Sequence, residues 1–152
     1  MPLLLLASVA QGQTVCRVAS AGPLAFGEYD SRAPVPKDTE TDVSVTCERD
    51  GGPQNLTILM RVDQGVNGAS VGNRRMAHVG GSRDVLNYGL YSDVSRSKVW
   101  GTSDNIDTVT RNLSVPNKGS ASVLFRMYGR IPPRQDVSAG RYSDSVQITV
   151  MY

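Results

Sequence analysis

Tyr142-Ser143-Asp144-Ser145-Val146-Gln147-Ile148-Thr149-Val150-Met151-Tyr152 closes the sequence, and its alternation decides the fold class. Tyr142, Asp144, Val146, Ile148, Val150 and Tyr152 share one face at period two, the spacing of a β-strand with one side packed. No turn or cap follows, so the run predicts a sheet edge left unfinished, for another strand to complete.

The same alternation recurs upstream. Ala121, Val123, Phe125 and Met127 alternate with Ser122, Leu124, Arg126 and Tyr128, ahead of a turn at Ile131-Pro132-Pro133. Val85 to Tyr91 repeats it, and Ser97-Lys98-Val99 leads into Trp100. Leu56, Ile58, Met60 and Val62 follow the turn Asp50-Gly51-Gly52-Pro53, while Val43 to Cys47 and Val15 to Val18 are strand-like and shorter. The 15 Gly and 8 Pro sit largely between these runs. About seven short strands, no βα alternation and no internal repeat predict an all-β, Ig-like sandwich, incomplete by one strand. A chain of 152 residues makes one domain, residues 11–152, which buries roughly 70% of its unfolded surface.

Charge narrows the function. Sixteen basic and 14 acidic residues give a net charge of +2 with no block of one sign, which excludes the clustered footprint of a nucleic-acid binder. At the N-terminus, Leu3 to Leu6 followed by Ala7-Ser8-Val9-Ala10 reads as the end of a secretory signal peptide, residues 1–10, cleaved after Ala10. The run is too short to span a bilayer, which takes about 20 residues. Export makes Cys16 and Cys47, the only two cysteines, a disulfide pair. Loop closure over that span is worth about 3.7 kcal/mol. A metal or catalytic thiol is disfavoured, because there is no CxxC and only one His.

Candidate chemistry is sparse. Gly68-Ala69-Ser70-Val71-Gly72 matches the GxSxG elbow of hydrolases and His78 follows, yet no acid lies between them and no second His exists. The elbow needs a strand-turn-helix setting and the order Ser, acid, His, so the segment is read as a loop and the chain as no enzyme. Asp104, Asn105 and Asp107 lack the central Gly and closing Glu of a calcium loop; no metal and no cofactor are expected. Asn55-Leu56-Thr57 and Asn112-Leu113-Ser114 are glycosylation sequons in form. Arg74, Arg75 and Arg83 form the one local excess of positive charge, read as a solvated loop, with an anionic surface as the alternative. Trp100, the only Trp, is read as core, with an exposed binding aromatic as the alternative.

Taken in order, Cys16, Phe26-Gly27-x-Tyr29, Val45-x-Cys47, Arg75-Met76, Leu86-Asn87-Tyr88-x-Leu90-Tyr91, Trp100-Gly101, Tyr128-Gly129-x-Ile131-Pro132, Gly140-x-Tyr142-x-Asp144 and Val146-x-Ile148-x-Val150-x-Tyr152 resemble the spore coat U family, which includes the Csu-type pilins of archaic chaperone-usher systems. The Thr102-Ser103 pair departs from the Asp-Gly that more often follows Trp-Gly there. The resemblance implies an exported fimbrial subunit serving cell adhesion and biofilm formation. It implies secretion through the periplasm to the cell surface, with a periplasmic pilus chaperone, an outer-membrane usher and neighbouring subunits as partners. It further implies an Ig fold without its last strand, filled by a donor strand, with the Tyr142 to Tyr152 edge engaging the chaperone by β-augmentation. Gln11 to Val15 would reach only roughly 17 Å, short for a donor arm. A secreted spore or cell-surface coat protein, a tip adhesin and a carbohydrate-binding module are the alternatives.

Overall fold

The computed structural model describes residues 12–152; the leader reading of residues 1–10 and Gln11 lie outside them. Nine strands run in the order β1 (Thr14–Ala21), β2 (Lys37–Arg49), β3 (Gln54–Val62), β4 (Arg74–His78), β5 (Val85–Tyr91), β6 (Val109–Val115), β7 (Ser120–Ile131), β8 (Tyr142–Ser143) and β9 (Ile148–Met151). They form a six-stranded sheet, β1-β2-β7-β5-β4-β8, facing a three-stranded sheet, β6-β3-β9, with every pairing antiparallel. No described residue is helical. No helix among them is therefore long and apolar enough to cross a membrane.

Alternation builds the core. Val43, Val45 and Cys47 of β2, Leu56, Ile58, Met60 and Val62 of β3, Leu86, Tyr88 and Leu90 of β5, and Phe125, Met127 and Ile131 of β7 all point inward and are buried. Trp100 is fully buried among them, which decides for the core role over the exposed one. Its backbone N–H donates to the Leu90 carbonyl at 2.9 Å and its indole Nε1–H to the Met60 carbonyl at 3.0 Å. One residue thus bonds both sheets. Cys16 and Cys47 stand opposite each other in the β1–β2 register and are disulfide-bonded, with Cα atoms 4.0 Å apart.

Three expectations are corrected. Nine strands among the described residues replace about seven: β4 and β6 do not read as strands, because Arg74 in β4 and Arg111 in β6 break the apolar phase, the C-terminal run divides into β8 and β9, and Ser97-Lys98-Val99 forms no strand, only an isolated bridge from Val99 to Tyr91. Arg74 belongs to no solvated basic loop; it is fully buried. The C-terminal run is not one strand on one sheet. β8 pairs with β4, β9 pairs with β3, and residues 144–147 cross between the sheets.

That crossing has an identifiable cause, because the loop after β3 captures the segment. The Asp63 N–H donates to the Gln147 carbonyl at 3.1 Å, the Gln147 N–H to Asp63 Oδ1 at 2.8 Å, and the Val66 N–H to the Ser145 carbonyl at 3.0 Å. Inward alternation survives the crossing: Tyr142, Asp144, Val146, Ile148 and Val150 are half-buried, whereas Tyr152 is exposed.

The bridge yields a direct check. Replacing Cys16 and Cys47 by Ala is expected to lower unfolding stability by about 3–4 kcal/mol, measured by denaturant titration of the folded protein. Mass spectrometry of the protein purified without reductant should find no alkylatable thiol.

Candidate functional site: an open groove between two rims

The two seams of the sandwich are built differently. On one side the edge strand β6 lies along β7, and the Arg111 guanidinium sits 5.9 Å from the Phe125 ring centroid. A cation of this kind on an edge strand blunts the edge against further pairing. On the other side, β1 edges one sheet and β9 the other.

The first rim is the end of β1 and its continuation. Residues 22–29 belong to no ladder, yet Leu24 and Phe26 pack inward against the core. Gly129 of β7 makes room for them: a Cβ there would meet Leu24 Cδ2 at 2.5 Å and Phe26 Cζ at 2.8 Å. The Tyr29 hydroxyl donates to the Pro132 carbonyl at 2.9 Å and accepts from the Gln135 N–H at 3.0 Å, anchoring the far end. This is the geometry behind the Phe26-Gly27-x-Tyr29 motif.

The second rim is the C-terminal run. Between the rims lies a cavity of about 430 Å³ lined by Leu24, Phe26, Leu90, Met127, Val146 and Ile148, among others. Met76 and Tyr142 line both this cavity and a second of about 660 Å³, which continues between residues 27–31 and 137–142 over Leu86 and Ile131. Of the six edge residues singled out in the sequence, Tyr142, Asp144, Val146 and Ile148 line the groove. Val150 packs on the core, and Tyr152 is 54% exposed.

Tyr88 spans the floor. Its hydroxyl donates to Asp144 Oδ2 at 2.6 Å on the C-terminal rim, and its ring meets Phe26 of the other rim edge-on at 6.2 Å between centroids. Burial, followed by the Asp144 bond, pushes its phenol far above the usual tyrosine range. Behind it the buried Arg74 donates to four carbonyls: Asp63 at 2.8 Å, Val71 at 2.8 Å, Val62 at 2.9 Å and Trp100 at 2.7 Å. Burial lowers its pKa, opposed by nearby Tyr88 and Asp63. These contacts hold the loop that holds the rim.

The remaining candidates stay apart from the groove floor. Ser70 closes a tight turn with Asn73 ahead of β4, and no helix follows it. His78, at the far end of β4, donates from Nε2 to the Ala139 carbonyl at 3.0 Å and accepts at Nδ1 from the Gly80 N–H at 2.9 Å. Asp104 pairs with Arg61, and Asp107 accepts from the Ser103 N–H at 2.7 Å. Among the described residues no cluster fit for a metal ion occurs. Arg74, Tyr88 and Gly129 shape the groove; Arg74 was read from sequence only as part of a solvated basic loop, and Tyr88 and Gly129 lay inside quoted motifs without a role.

Comparison with known proteins agrees with this architecture. The model of the Spore Coat Protein U domain matches residues 3–149. The chain belongs to the spore coat protein U family. Protein U of Myxococcus xanthus is 31% identical over 144 residues, covering 88% of this chain and 74% of that protein. A similar solved structure is the CsuC–CsuE chaperone–tip adhesion subunit pre-assembly complex from the archaic chaperone-usher Csu pili of Acinetobacter baumannii. The match to one of its chains has a TM-score of 0.60 at 17% identity and takes in 92% of this family member. It spans 40% of that neighbour's length, and the likeness is one of fold.

The strut across the groove has a spectroscopic signature. Because folding raises the Tyr88 pKa, its stabilising contribution is present below the unfolded value of about 10 and is lost as pH climbs above it. Absorbance near 295 nm should show one of the 6 tyrosines ionising only on alkaline unfolding. Tyr88→Phe should remove that late step.

Proposed function

We propose that this chain is an exported structural subunit of a chaperone-usher fibre, held in the fibre by a strand that another chain lends to the groove. One observation carries the proposal: two rims without ladder partners, residues 22–29 and the free side of β9, flank an apolar floor. Unpaired backbone beside exposed apolar surface is an aggregation hazard unless covered. An extended segment satisfies both needs at once, its N–H and C=O groups pairing with the rims and its alternate side chains entering the cavities.

The partners that suit this chemistry are a periplasmic chaperone that covers the groove first, an outer-membrane usher, and a neighbouring subunit that replaces the chaperone. The CsuC–CsuE complex is a chaperone–subunit complex by its own description, which supports that order of events. Adhesion and biofilm formation follow as properties of the fibre, displayed on the cell surface after passage through the periplasm. The protein performs no catalysis in this role: the His78 ring nitrogens are engaged by backbone groups, and Ser70→Ala should leave assembly unchanged. The family's association with spore coats favours a coat subunit as the second reading, with the same groove joining copies in a layer.

Co-expression with the cognate chaperone should give a soluble one-to-one complex, and expression alone should give aggregate or degradation. Ile148→Asp places an unpaired charge in the groove and should abolish both the complex and surface display. A stable lone monomer, with slow hydrogen exchange along residues 22–29 and the outer side of β9, would overturn the proposal.

A further inference from the structure

An apolar groove specifies its occupant's alternation but not its register. A strand shifted by one residue turns its apolar face outward, whereas a shift of two restores the pattern. Uniform walls therefore leave a ladder of near-equivalent positions. A single polar contact removes that degeneracy, as one buried polar residue fixes register in a coiled coil.

The groove contains such a contact. Asp144 is the one charged side chain lining the 430 Å³ cavity, whose other walls are largely Leu, Phe, Met, Val and Ile. Its Oδ1 accepts from the Asn67 N–H at 3.1 Å and the Asn67 side-chain amide at 2.9 Å, while Oδ2 accepts from the Tyr88 hydroxyl at 2.6 Å. A carboxylate offers about four acceptor sites, so Oδ2 retains one. Gly65 leaves room for Oδ2, since a Cβ there would lie 2.1 Å from it.

The charge is already balanced from behind. Arg74 lies within Coulombic range of Asp144, and its own hydrogen bonds go to carbonyls. A second cation inserted among apolar walls would lose its hydration for little return. A neutral donor suffices, and on a strand the side chain that combines a hydroxyl with β-propensity is threonine, followed by serine.

We propose that Asp144 sets the register of the strand that fills the groove, by accepting a hydrogen bond from a threonine or serine side chain on that strand. The inference rests on the groove being a strand-binding site. It makes Asp144 a specificity residue for the choice of partner as well as a pin for the rim.

Valine and threonine have nearly the same shape, which gives a clean test. The full chain is refolded with a peptide of about eleven residues, long enough for the rim from Ala21 to Ser31, carrying valine at every inward position. Competing peptides then carry threonine at one inward position each. At four-fifths or so of the positions the buried hydroxyl lacks a partner, and binding should weaken about tenfold; at one position threonine should match or exceed valine. Asp144→Asn turns one acceptor oxygen into a donor, and should shrink that preference severalfold, read as the ratio of threonine to valine affinity within each protein so that a general change in peptide affinity does not enter. Equal weakening at every position, or a preference undiminished in Asp144→Asn, overturns the register role while all-valine binding leaves the strand-binding groove standing. Failure of the all-valine peptide to bind removes the groove as a strand site, and the register role with it.

Discussion

The structure depends on Trp100 being bonded to both sheets at once. A sandwich open along one seam lacks the cross-sheet contacts that a completing strand would bring, so its layers must be tied elsewhere. Trp100 does this with its backbone N–H on Leu90, its indole on Met60 and its carbonyl receiving Arg74. Its ring lies 6.2 Å from that of Phe125, centroid to centroid. Removing the indole would empty a large volume at the point where the layers meet and leave the Met60 carbonyl without that donor. The Arg74 cage extends the tie to residues 62, 63 and 71, and through Asp63 to the C-terminal rim. The groove's shape is thus set from the centre of the core outward.

The outer face of the large sheet follows a different logic. Arg130 pairs with Asp38 at 2.7 Å and Arg126 with Asp42 at 2.9 Å, each directly opposite in the β2–β7 register. The hydrogen bonds from these arginines hold both carboxyls below the usual aspartate range. Pairs this exposed add little to stability. They keep the face polar and fix a register that also positions Val43 and Val45 against the core. Charge is spent on the outside, and the groove is left almost free of it.

Where side-chain phase was uninterrupted, the strands were legible from residues alone: Leu56 to Val62 and Ala121 to Met127 fall where alternation places them. Where a cation occupies an inward position, as Arg74 and Arg111 do, the pattern breaks and the strand goes unseen. The long C-terminal alternation was read on the correct face. Its division between two sheets was not, because the cause lies in the backbone of Val66 and the backbone and carboxylate of Asp63, more than seventy-five residues earlier in the chain and outside any local pattern. Phe26 was visible as part of a motif and Leu24 was not; that they form a rim depends on the missing Cβ of Gly129, a space no periodicity encodes.

The Cys16–Cys47 bond has a mechanical meaning. It joins the edge strand β1 to β2, whose register with β7 runs unbroken from Lys37↔Ile131 to Glu48↔Ser120. Tension applied ahead of Cys16 therefore enters β2 through a covalent link, without first shearing the β1–β2 ladder. The load then reaches the β2–β7 ladder, the longest among the described residues. The rim beyond Cys16, which shapes the groove, lies off that path and stays unloaded while the chain is pulled.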